Sequence, residues 1–139
     1  MKKLLAHLII ALTLAIILFL TTLLFDLFKS MHLTALLLNI DFLIDDNASN
    51  VILEFLIHVG ITISLYASLY FIYKKWGNYY YMALICAMIS FLALYPLLIY
   101  MAVSPIFQFH YTGYICWTIA HIIFLVCTHK GIKFMESKL

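Results

Sequence analysis

Apolar residues run almost unbroken through positions 4–28, 51–73, 79–103 and 111–128, and most of the charge lies in the connections between these stretches and at the two ends of the chain. A bilayer core of about 30 Å takes about 20 apolar helical residues, a length that three of the stretches reach and the last misses by about two. The pattern predicts an all-α polytopic membrane protein, a bundle of four transmembrane helices. The first connection is itself patterned. Leu33, Leu36, Leu37, Ile40, Leu43 and Ile44 recur at helical spacing opposite Asn39, Asp41 and Asp45, which predicts a short interfacial helix between the first and second spans. Such a helix caps the bundle, covers a cavity as a lid or docks a partner. At its polar end, Ser49 or Asn50 is the expected N-cap of the second span. Asp45, Asp46 and Asn47 lack the alternating ligands and the glycine of a calcium loop.

Composition adds that lipid must cover the outside. With 67% hydrophobic residues, 10% charged residues and a mean hydropathy of +1.12, a water-soluble domain of 139 residues would lack polar surface. The longest connection, about 29–50, is too short for a second folded unit, so residues 1–139 are expected to form one domain. The formal charge of +2 includes no basic patch, and no nucleic acid partner is expected. Expected partners are the bilayer and either further copies of the chain or a larger membrane complex.

Lysine placement predicts the orientation. Lys2, Lys3, Lys74, Lys75, Lys130, Lys133 and Lys138 fall on one side of a four-span path and only Lys29 on the other. Positive flanks stay cytoplasmic, so both termini are expected inside, the protein lying in a membrane of the bacterial cytoplasmic type. The first span starts like a secretory signal but has no small-residue cleavage site, and it reads as an uncleaved helix. Lys74-Lys75-Trp76-Gly77-Asn78 reads as a tight inner hairpin, with Tyr70, Tyr73 and Tyr79-Tyr80-Tyr81 as an aromatic belt. His7, His32 and His129 read as wet interfacial residues.

Two features concern packing. Gly60, Ser64 and Ser68, with Ala67 beside them, leave one face of the second span without bulk, an expected contact face within the chain or between copies. Pro96 removes a backbone donor, which predicts a kink or an early end to the third span. Cys86, Cys116 and Cys127 all fall inside spans and read as small apolar packing residues.

Candidate chemistry lies in the outer half. Glu54 and His58 are four residues apart on the second span, and Trp117 and His121 stand in the same relation on the fourth, so each pair shares a helical face. At 1.5 Å per residue His58 lies about 12 Å below the outer end of its helix and His121 about 15 Å below its own. Asp26, Thr21 and Thr22 on the first span, with Tyr95 and Tyr100 on the third, place further polar groups near that layer. Ionisable groups inside a membrane face the bundle interior and pair with one another, and Glu54 with His58 is the expected pair. Glu54, His58, His121, Trp117, Tyr95 and Asp26 are therefore the candidate binding residues for protons or for a small or lipidic ligand. Trp117 could stack on a cation, or simply pack as an anchor. His58, His121 and Glu54, with His110 above them, are weak metal candidates, and no cofactor is otherwise indicated.

Catalytic motifs are missing. The chain has no His-Glu-x-x-His, no Gly-x-Ser-x-Gly, no phosphate loop and no arginine to clamp a phosphate. The leading expectation is a membrane protein without covalent catalysis that binds a ligand or protons in an outer-half polar cavity, working as a homo-oligomeric transporter. The alternatives are an accessory or stabilising subunit of a larger complex and a membrane-embedded metal-dependent enzyme.

Overall fold

The computed structural model describes residues 2–44 and 50–137. The expectations for Asp45, Asp46, Asn47 and Ser49 lie outside the described residues. Helix α1 covers Lys2–Phe28, α2 Leu33–Leu38, α3 Val51–Lys75, α4 Tyr80–Met101 and α5 Tyr111–Ser137, with a 3-10 turn at Gly77–Tyr79 and no strand among the described residues. The four long helices are long and apolar enough to cross a membrane, which marks the chain as an integral membrane protein. Helix α1 packs against α3 and α5, and α4 packs against the same two, so the order around the bundle is α1, α3, α4, α5. Helices α3 and α5 are thus placed diagonally.

Helix α5 is the hub and α4 the most lipid-facing element. In their most apolar windows 39% of α5 is buried inside the protein but only 6% of α4. Helix α5 runs on past residue 128, the expected end of the last span, to Ser137. Polar residues from Thr128 to Lys130 end the apolar run, yet Phe124, Thr128, Ile132 and Met135 continue one buried helical face. Gly131 lets α1 approach that face, because a Cβ there would stand 2.9 Å from Ile10 Cγ2.

Helix α4 passes through Pro96 and ends five residues later at Met101, so the early end does not occur. The inner hairpin turns through the 3-10 segment with no glycine at positive φ, closed by Tyr79 N–H donating to the Trp76 carbonyl at 2.8 Å. Of the three tyrosines expected in the belt, Tyr79 and Tyr81 are exposed but Tyr80 is not. Tyr80 is buried and shares a 3.1 Å hydrogen bond with His129 Nδ1.

The interfacial helix is shorter and more deeply set than its sequence pattern predicts. Asn39 turns extended, its side-chain oxygen accepts the Asp41 N–H at 3.0 Å, and a separate turn at Ile40 bonds Leu43 and Ile44, so helical spacing continues without helix. Leu33, Leu36, Leu38 and Ile40 are buried, which makes the segment a plug in the end of the bundle and supports the capping role. The segment is held by Asp26. Its two carboxylate oxygens accept the Leu33 and Thr34 N–H groups at 2.9 and 2.8 Å, satisfying donors that open the new helix. His32 takes the left-handed conformation needed to reverse the chain, with φ of 55°. Asn50 is the N-cap of α3 as expected, its side chain accepting from Leu53 N–H at 2.9 Å.

Candidate functional site

Each polar candidate from the sequence now has a place. His58 on α3 and His121 on α5 are both buried, to 6% and 1% exposure, and act on one another electrostatically. His121 donates from Nδ1 to the Trp117 carbonyl at 2.8 Å, and its ring lies 4.4 Å from both Phe91 and Trp117. The His58 ring meets the backbone of Ala15 on α1, while its Nε2 is buried with no hydrogen-bond partner among the described residues. Glu54 does not reach that nitrogen. One turn closer to the end of α3, it lines a separate pocket.

Trp117 has no exposed face for a cationic ligand, since it is 0% exposed with its ring 5.6 Å from Tyr95. Its indole N–H donates to the Phe91 carbonyl at 2.9 Å, one residue from the carbonyl of Leu92 that Pro96 deprives of its donor. Packing and backbone satisfaction therefore account for this side chain. Tyr95 is buried beside it, donates weakly to the His110 carbonyl at 3.5 Å, and occupies the space over Gly113, where any Cβ would collide with the tyrosine hydroxyl. Asp26 caps α2, as described above. Among the described residues no group of three or more His, Cys, Asp or Glu side chains is arranged to hold a metal ion. His110 is exposed beside Lys29 and Ser30.

At the end of the bundle away from most lysines lies a pocket of about 440 Å³ between α1, α2, α3 and the connection from α4 to α5. Its polar lining consists of Thr34, Asn39, Asp41, Glu54 and Ser104, set against apolar groups that include Phe19 and Phe107. Asp41 fastens the far wall, with Oδ2 accepting from Val103 and Ser104 N–H at 3.0 and 3.2 Å. Its Oδ1 and the Nδ2 of Asn39 are buried without hydrogen-bond partners among the described residues. A buried polar atom left unpaired costs about 1–3 kcal/mol, so these two atoms are the pocket's strongest unmet demand among the described residues. Glu54 was legible as a candidate from its span, but Asn39, Asp41 and Ser104 were not. They are distant in sequence, and only the folding back of α2 brings them to α3.

At the lysine-rich end there is a second polar network, of which the sequence offers His7 only as wet surface and Tyr70 only as part of the aromatic belt. His7 Nδ1 and the Tyr66 hydroxyl share a 2.9 Å hydrogen bond linking α1 to α3. Tyr70 donates to Glu136 at 2.9 Å, and Lys74 reaches the same carboxylate oxygen at 3.4 Å, linking α3 to α5. The usable signal was the common membrane level of these residues near three helix ends. The Gly60, Ser64 and Ser68 stripe is exposed, with nothing within 4 Å of a Cβ built on Gly60. Both serines satisfy their hydroxyls on their own helix, Ser64 on the Gly60 carbonyl at 2.9 Å and Ser68 on the Ser64 carbonyl at 2.8 Å. Among the described residues the stripe is therefore not a packing face.

The chain matches no protein-family model, no curated protein and no solved structure.

Proposed function

We propose that this protein binds a small amine in the pocket bounded by Asn39, Asp41 and Glu54, with the pocket opening toward the outer side of the membrane. The observation that carries this reading is the pair of unpartnered buried atoms, Asp41 Oδ1 and Asn39 Nδ2. An amino-alcohol meets both, its ammonium or hydroxyl donating to the carboxylate and its oxygen accepting from the amide. Two carboxylates and no lysine line the space, so charge favours a cation, and the Phe19 and Phe107 side suits a short apolar tail. Ligand capture without covalent chemistry fits this wall, and transport would require the exposed stripe on α3 to bring copies together.

The binding test uses thermal unfolding of the purified protein in mild detergent with n-octylamine, n-octanol or octanoate. At a hundredfold excess over Kd, octylamine should stabilise the wild type by about 2.7 kcal/mol, and octanol and octanoate much less. Glu54→Gln should lose most of the amine effect. Equal shifts from all three compounds, or an octylamine shift unchanged in Glu54→Gln, would leave the accessory-subunit reading in its place.

Orientation follows from seven of eight lysines sharing one side. In a chain whose native cysteines are replaced by alanine, a cysteine at Gln108 should react with an impermeant thiol reagent in intact cells and one at Gly77 should not. The reverse result would put the pocket on the cytoplasmic side.

A further inference from the structure

Along the seam between α1 and α3, at the lysine-rich end, runs a lateral groove of about 570 Å³. On α3 its lining recurs from Ile63 through Ala67 and Phe71 to Lys74, a rise of about 17 Å, and on α1 it extends from Ala11 to Leu4. That length is close to half the hydrocarbon core, the depth of one lipid leaflet. The walls are almost wholly apolar. The polar groups that do border the groove are engaged with protein partners, His7 with Tyr66 and Tyr70 with Glu136, and they make no demand for a polar ligand inside. At the open end the chemistry changes to two ammonium groups. Lys74 is shared with Glu136, but Lys75 has no carboxylate partner among the described residues and lies over the Phe71 and Trp76 rings at 5.4 and 5.3 Å.

We propose that this groove holds one anionic phospholipid, its acyl chain against Ala11, Ile63 and Ala67 and its phosphate at Lys74 and Lys75. The apolar length selects a chain rather than a soluble anion, and the cationic end selects the charge of the headgroup. Trp76 sits at the same level, where an indole suits the membrane interface. A second copy of the protein is a poorer occupant, because it would bring a second pair of lysines toward the first across an apolar seam.

Native mass spectrometry of the detergent-purified protein, titrated with dioleoyl phosphatidylglycerol or dioleoyl phosphatidylcholine, tests this. The wild type should retain one phosphatidylglycerol about tenfold more tightly than phosphatidylcholine, the size expected of one free and one shared lysine near a single headgroup. Lys74→Gln with Lys75→Gln should bring the ratio close to one, while Lys130→Gln with Lys133→Gln should leave it unchanged. Ala67→Phe, a substitution at an exposed position, should remove the tightly held lipid of either kind without altering helix content by circular dichroism. Equal retention of the two lipids by wild type would overturn the proposal, as would a preference lost only with Lys130 and Lys133. So would a lipid-free dimer that Ala67→Phe converts to monomer.

Discussion

Trp117→Ala should lower the stability of the folded protein by about 3–5 kcal/mol, the range for deleting a large buried aromatic side chain. Trp117 is the largest fully buried side chain and packs against Tyr95 and His121 where α4 and α5 meet. In a bilayer or micelle the surroundings are as apolar as the core, so water exclusion contributes little and the loss is mainly of dispersion contacts across a cavity that rigid helices cannot close. A second loss comes from the Phe91 carbonyl, which would lose its indole donor beside the gap in the ladder at Pro96. Trp117→Phe separates the two contributions. It keeps much of the ring volume and removes the donor, and it should cost less than half as much. Thermal melts followed by far-ultraviolet circular dichroism in one detergent check both variants, and a melting temperature for Trp117→Ala equal to wild type would show that this layer does not hold α4 to α5.

Asp26→Ala should cost about 2–3 kcal/mol and also abolish the octylamine effect on melting. The two bonds from Asp26 to Leu33 and Thr34 N–H are charge-assisted, and together they replace the intrahelical partners that the first turn of α2 lacks. Without them the buried amides lose their acceptor and the segment carrying Leu33, Leu36 and Leu38 has less to hold it in the bundle end. Thr34, Asn39 and Asp41 lie on or just beyond that segment, so the pocket loses one wall even though Asp26 does not line it. Asp26→Asn retains one acceptor and should fall between the two. A full octylamine shift in Asp26→Ala would mean that the ligand does not depend on α2.

The two substitutions also separate what was legible in the chain from what was not. Span number, span limits near 28, 51 and 111, the capping of α3 by Asn50 and the presence of a short helix in the first connection all follow from local rules. Hydrophobic length, helical period and a side chain that satisfies its own helix are properties of neighbouring residues. Asp26 shows where such rules stop, because its acceptors serve amides seven and eight residues on only after the chain reverses at His32. Trp117 likewise reads as an anchor or a cation platform until Phe91 and Tyr95 arrive from another helix.

The sequence by itself determined that the chain forms four membrane-length helices and a short helix between the first two, because lipid length and backbone hydrogen bonding admit few other solutions for such a pattern. Which polar groups meet was decided only by the tertiary structure. Every span is apolar on nearly all sides, so no amphipathic stripe announces which face turns inward. Rotation of each helix was set instead by close approach at Gly113 and Gly131, by the diagonal placement of α3 and α5, and by the return of α2 onto α1. Those contacts took Glu54 away from the His58 Nε2 to a pocket with Asn39 and Asp41, left Gly60 open to lipid, and joined His7 to Tyr66 at the opposite end.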